Sequence, residues 1–215
     1  MTAQFSSTFA QSSCTLQARD LACVRGERKL FSNISFDLSA GDCLHVRGEN
    51  GVGKTSLLRL LTGLSKPEAG QVLWNHELIA KQVDQYHRNL LFLGHRDALK
   101  EEFSALENLQ TYAALDGIDL PHEKALAALW RFGLRGRENL PVNCLSAGQK
   151  RRVLMARMLT RQARLWILDE PFNALDVSAV ALLEGLMNEH LTSGGILVLT
   201  SHQVIHIPNV KALDL

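Results

Sequence analysis

The run Gly48-Glu49-Asn50-Gly51-Val52-Gly53-Lys54-Thr55 fits G-x-x-x-x-G-K-[ST], and it constrains the fold more than any other stretch of the chain. The apolar Leu44-His45-Val46 before it reads as a short buried strand, and Ser56-Leu57-Leu58-Arg59-Leu60-Leu61 after it as an amphipathic helix. The loop therefore sits at a helix N-terminus, where unpaired N–H groups and the positive end of the helix dipole attract an anion. Gly48, Gly51 and Gly53 let the backbone close around that anion without Cβ clashes. Lys54 is placed to reach the β and γ phosphates of a nucleoside triphosphate, and the Thr55 hydroxyl to ligate Mg²⁺. The expected phosphate cradle is thus Gly48, Glu49, Asn50, Gly51, Val52, Gly53, Lys54, Thr55 and Ser56.

A chain of 215 residues has room for one domain with an inserted subdomain. Its formal net charge of +1 carries no basic footprint of a dedicated nucleic-acid binder. No apolar run reaches the ~20 residues needed to span a bilayer, and Met1 to Ser13 is rich in Ser, Thr and Gln, without the basic and apolar regions of a signal peptide. A cytoplasmic protein with a mobile N-terminal tail is expected. Cys14, Cys23, Cys43 and Cys144 form no C-x-x-C, so neither a disulfide framework nor a zinc site is implied.

Along the chain, residues 15–21 and 34–38 alternate like strands, which predicts an antiparallel β layer ahead of the phosphate loop. The turn Pro67-Glu68-Ala69-Gly70 leads into a strand over 71–74, and 89–94 is a further apolar strand. Ser104-Ala105-Leu106-Glu107 is a capping box that opens an Ala- and Leu-rich helical stretch to about Arg161. Strands over 163–169 and 195–200, with a helix near 178–190 between them, return the chain to an α/β core with a mainly parallel sheet. The fold class expected is α/β: a P-loop NTPase (RecA-like) core with an antiparallel β layer and an inserted α-helical subdomain. Its core lobe would comprise about 14–94 and 162–215, and its helical lobe about 95–161.

Two further signals carry chemistry. Leu165-Trp166-Ile167-Leu168-Asp169-Glu170 is an apolar strand ending in two carboxylates, the arrangement expected where a parallel strand meets a nucleotide crevice. Asp169 would hold Mg²⁺, directly or through water, and Glu170 would be the general base or water-orienting group. Leu145-Ser146-Ala147-Gly148-Gln149 places small polar residues ahead of a second helix. Since the γ phosphate already has one helix N-terminus, a second such site fits a nucleotide held between two copies of the chain. Read in isolation, the same stretch is a plain N-cap followed by a solvated basic face, Lys150-Arg151-Arg152.

The set made by Gly48 to Thr55 (Walker A), Leu145 to Gln149 (signature), Leu165 to Glu170 (Walker B), Asn173-Ala174-Leu175-Asp176 (D-loop) and His202 (switch histidine) resembles the nucleotide-binding domain of ABC transporters, from about residue 15 to 205. Residues 48–64, 91–95, 104–109, 140–149 and 165–172 resemble the branch of that family that powers heme export in cytochrome c maturation. The resemblance implies a head-to-tail ATP sandwich, in which Ser146, Gly148 and Gln149 of one copy complete the site built on Lys54 of the other. It also implies that His202 contacts the γ phosphate, that Glu170 directs water, and that ATP and Mg²⁺ are the cofactors. Integral membrane subunits of the cytochrome c maturation type would be the partners, with this chain peripheral on the cytoplasmic face of the inner membrane.

Three positions depart from the family pattern. His95 stands where a glutamine usually touches Mg²⁺ or the attacking water; a neutral imidazole can accept a water hydrogen bond or ligate the metal, with pH-sensitive coupling as the consequence. Arg25 takes the place of the adenine-stacking aromatic, a role its planar guanidinium can fill. Ala147 replaces a signature glycine. Retention of Lys54, Asp169, Glu170 and His202 argues against a turnover-free regulatory ATP binder. DNA- or ribosome-directed relatives carry coiled coils or paired ATPase domains, and this chain has neither. No residue identified here touches cargo, so an exporter of another substrate, such as a peptide or lipid, is the alternative reading.

Overall fold

The computed structural model describes residues 14–95 and 98–215, so the expected N-terminal tail and Asp97 lie outside the described residues. The described chain divides into two compact units, one of residues 14–95, 163–171 and 186–215, the other of residues 98–162 and 172–185.

The first unit holds two sheets. In the antiparallel one, β1 (Thr15–Arg25) pairs with both β2 (Arg28–Ser39) and β4 (Ala69–Trp74), and β4 with the short β5 (Glu77–Leu78). Leu16 and Ala18 face the core, but so do Leu21 and Cys23, which have the opposite parity. A bulge reconciles them. The register steps from Ala18↔Phe36 to Leu21↔Ile34, so β1 carries one extra residue, with Asp20 at φ 48° and its N–H on the Ser35 hydroxyl at 2.8 Å. That parity break hid the outer half of β1 from a reading that looks for strict alternation.

The parallel sheet has the order β6 (Leu90–Leu93), β7 (Leu165–Leu168), β8 (Ile196–Thr200), β3 (Cys43–Arg47), β9 (Val210–Asp214). All residues of β7 and β8 are buried, as expected of strands covered on both faces. The edge strand β9, paired only with β3, was not expected from the sequence: two of the five residues of Val-Lys-Ala-Leu-Asp are charged and none is fully buried, so no apolar run marks it. Helix α1 (Lys54–Leu61) buries Leu57, Leu58, Leu60 and Leu61. The short α2 (Val83–Arg88), too brief to show a period, sets Tyr86 against Trp74 and lets its hydroxyl donate to the Leu61 carbonyl at 2.5 Å.

The second unit contains α3 (Ala105–Leu115), α4 (His122–Arg131) and α5 (Ala147–Thr160). Ser104 and Glu107 close the expected capping box, at 3.1 Å and 2.8 Å. Asn108, buried, donates to the carbonyls of Lys100, Phe103 and Ser104 and accepts from the Lys100 N–H, so one amide orders the approach to α3. Residues 172–185 group with this unit. Within it, Arg152 on α5 forms an ion pair with Asp176 and donates to the Phe132 carbonyl at 3.2 Å. Asp176 also caps α6 (Val177–Thr192) by accepting from the Ala179 N–H at 2.9 Å. Among the described residues no helix is long and apolar enough to cross a membrane.

His190, near the end of α6, stacks on Trp166 at 3.9 Å with an interplanar angle of 6°. Its Nε2 must carry the proton, because its partner is the Ile196 carbonyl at 3.2 Å. Burial pushes its pKa down from 6.5 to about 4, since the cation loses its hydration. The unfolded chain takes up this proton as pH falls through 6.5, whereas the folded chain resists until about 4, so stability present at neutral pH is lost across that window. Between neutral pH and about 4.5 the native chain should lose roughly 2–3 kcal/mol that a His190→Phe variant retains, after carboxylate effects common to both are subtracted. Urea unfolding of the two proteins over that pH range measures the difference.

Candidate functional site

The phosphate loop leaves the carboxyl end of β3 and enters α1, whose N-cap is Gly53 with no side-chain cap and no acidic residue in the first turn. The N-terminal N–H groups of α1 are therefore left for an anion. Gly48 adopts φ 139°, and a Cβ there would come within 2.8 Å of Val52 Cγ2 and 3.0 Å of the Leu215 carbonyl oxygen. Leu215 is fixed by its own N–H, 3.1 Å from the Arg47 carbonyl, so the backbone after β9 closes one side of the loop. The Lys54 ammonium donates to the carbonyls of Gly48 at 2.7 Å and Glu49 at 3.1 Å, which holds the cation over the loop it serves.

The acidic end of β7 meets the start of α1. Thr55 Oγ1 donates to Asp169 Oδ2 at 2.8 Å, and Asp169 is only 2% exposed. Two hard oxygen donors side by side fit Mg²⁺. Among the described residues no group of three or more His, Cys, Asp or Glu side chains is placed to hold a metal, so this pair is a partial donor set of the kind that phosphate oxygens and water complete. Glu170 follows at φ 49°, left-handed for a non-glycine residue, with its N–H on Thr200 Oγ1 at 2.9 Å. His202 brings Nε2 to 3.1 Å from Asn50 Oδ1 and 3.5 Å from Glu170 Oε1. The loop, the switch histidine and the second carboxylate thus converge in one unit.

Thr200, which sequence reasoning passed over, is fully buried and donates to Asp169 Oδ1 at 2.7 Å. A polar residue closing the apolar run Ile196-Leu197-Val198-Leu199 at the carboxyl end of a parallel strand is the signal that could have marked it. His45 was likewise unassigned. It lies buried in β3, with Nε2 3.1 Å from the Ser201 carbonyl and Nδ1 accepting from Arg47 Nε at 3.2 Å. Those partners require the neutral Nε2–H tautomer, and burial lowers its pKa.

His95 is exposed just beyond β6 and has no hydrogen bond to Thr55 or Asp169 among the described residues. Arg25 is exposed at the hairpin between β1 and β2.

The signature residues belong to the other unit. Ser146 caps α5 by accepting from the Gln149 N–H at 3.3 Å, while Gln149 Oε1 accepts from the Ser146 N–H at 3.0 Å. A Cβ on Gly148 would lie 2.7 Å from the Ala174 carbonyl, so the segment carrying the D-loop rests on the first turn of α5 and excludes any side chain there. The reading of 150–152 as a solvated basic face is corrected: Arg151 is 5% exposed, Arg152 is held as described above, and Lys150 pairs with Glu101 at 3.2 Å.

Residues 31–173 match the ABC transporter family. The chain is 50% identical over 193 residues to the "Cytochrome c biogenesis ATP-binding export protein CcmA" of Dechloromonas aromatica (strain RCB), covering 90% of this chain and 95% of that one. It is 50% identical over 196 residues to the protein of the same description from Escherichia coli (strain K12), covering 91% and 93%. In fold it resembles an ABC transporter ATP-binding protein from Pyrococcus furiosus, with a TM-score of 0.80 at 24% identity over 93% of this chain and 97% of that one.

Gly48→Ala should weaken nucleotide binding by at least about tenfold, because the methyl meets Val52 and Leu215 in a backbone region that disfavours any side chain. Gly51→Ala, with nothing within 4 Å of its added Cβ, bears only the backbone term and should bind more tightly than Gly48→Ala. Titration of each full-length variant with a fluorescent ATP analogue measures both.

Proposed function

The chain belongs to the ABC transporter family, and from that premise we propose that it is the ATP-hydrolysing subunit of a membrane complex that drives heme export or heme-chaperone release in cytochrome c biogenesis. The observation that carries this reading is the extent of the likeness: half of all aligned positions are identical over at least nine-tenths of both chains, in relatives described as cytochrome c biogenesis export proteins. The cofactor is ATP with Mg²⁺.

Each group on the phosphate side has a role its position supports. The Gly48 to Ser56 backbone and the Lys54 ammonium bind and orient the β and γ phosphates. Thr55 Oγ1 and Asp169 would hold Mg²⁺, which neutralises charge on those phosphates when bound. The Glu170 carboxylate orients the attacking water and takes its proton as the oxygen bonds to the γ phosphorus and the bond to the bridging oxygen of ADP breaks. His202, linked to Asn50, donates to the γ phosphate where charge shifts during transfer. Ser146, Gly148 and Gln149 of a second copy would complete the site with the N-terminus of α5. His95 would report on the γ-phosphate water to the membrane subunits, and Arg25 would stack on adenine. Integral membrane subunits, not nucleic acid, are the partners, and the chain would work peripherally on the cytoplasmic face of the inner membrane.

Glu170→Gln should abolish turnover while leaving ATP affinity within about threefold, since the amide keeps the shape but cannot take the proton. Lys54→Ala should instead lose ATP binding. A tagged chain purified with its complex from detergent-solubilised native membranes tests the assignment. The expected result is small integral membrane subunits carrying heme absorbance that leaves on ATP turnover, but not in Glu170→Gln. An unrelated permease without heme would redirect the cargo to another substrate, and unchanged hydrolysis in Glu170→Gln would refute its role.

A further inference from the structure

Thr200 ends β8, is fully buried, and makes two side-chain bonds whose directions are fixed by chemistry. Asp169 Oδ1, 2.7 Å away, can only accept when ionised, so it takes the single hydroxyl proton. The Glu170 N–H, 2.9 Å away, can only donate, so it takes a lone pair of the same oxygen. One hydroxyl therefore fixes the carboxylate plane of Asp169, whose other oxygen accepts from Thr55, and also anchors the left-handed backbone from which the Glu170 side chain springs.

We propose that Thr200 is a positioning residue for ATP hydrolysis, one that aligns the metal-holding carboxylate and the water-directing carboxylate from a single point. The proposal rests on the roles given above to Asp169 and Glu170. Among the described residues the Thr200 hydroxyl bonds to Asp169 and the Glu170 N–H and not to Lys54 or the backbone of the phosphate loop, so it acts on the rate of the bound nucleotide's hydrolysis rather than on its capture. Removing it takes one hydroxyl donor from Asp169 Oδ1 and this acceptor from the Glu170 N–H in a buried setting. A misplacement near 1 Å is enough to slow such a reaction severely.

The test compares wild type, Thr200→Val, Thr200→Ser and Glu170→Gln, each as full-length chain assembled with its membrane subunits. Steady-state ATP hydrolysis, half-saturation by Mg²⁺ and thermal unfolding are measured for each. Thr200→Val should lower kcat by about ten- to a hundredfold, with KM for ATP within about threefold and a raised Mg²⁺ requirement. Thr200→Ser restores the hydroxyl and should recover kcat to within about threefold of wild type, whether or not it recovers the thermal midpoint. Should valine impair folding, Thr200→Ala removes the same hydroxyl without adding an apolar group, and the same kcat loss is expected. The proposal is overturned if the folded valine or alanine variant turns over like wild type while Glu170→Gln is inactive in the same preparations, or if the serine variant is as slow as the valine one. Full turnover in Glu170→Gln would instead overturn the reading of the site on which the proposal stands.

Discussion

A carboxylate with 2% exposure is tolerable only if its oxygens are engaged, and Asp169 engages both with hydroxyls. One comes from Thr55 at the start of α1 and the other from Thr200 at the end of β8, while the Asp169 N–H bonds to the Leu93 carbonyl at the end of β6 at 2.8 Å. Three elements that are far apart in sequence are thus tied to one residue. The phosphate loop, the switch segment and the acidic turn keep their mutual geometry because the cost of leaving that charge unpaired is high. The same residue that holds the structure together is the one whose chemistry suits the metal, so structural and functional demands act on it jointly.

The rest of the first unit supports that arrangement. Parallel strands covered on both faces supply rigid, apolar β7 and β8, so polar groups at their carboxyl ends are delivered to fixed positions. The bulge at Asp20 lets β1 cover the core on either side of a parity change. In the second unit the two capping boxes and the Asn108 amide do a similar service for helices that lack a sheet to lean on.

What the sequence discloses follows the range of the interactions involved. Gly48 to Thr55, the capping box at Ser104 and the helix start at Ser146 are legible because their chemistry is confined to a few consecutive residues. The buried strands over 165–168 and 196–200 are legible because burial on both faces leaves an unbroken apolar run. β9 was not legible, because it is an edge strand with two charged residues among its five. Nor was the ion pair of Arg152 with Asp176, a contact no local pattern encodes. Thr200 stayed hidden for the same reason: a threonine ending a strand is unremarkable until the carboxylate beside it is seen.

The position of β3 has a consequence for how the molecule is made. Its pairing partners are β8 and β9, so Cys43 is matched with Leu197 and Val210 and with nothing near it in the chain. Contacts of such sequence separation form slowly, after the entropy of a long loop has been lost. A ribosome therefore extrudes Gly48 to Thr55 well before β8 and β9, so the strand that delivers the loop gains its sheet neighbours only after those later segments have emerged.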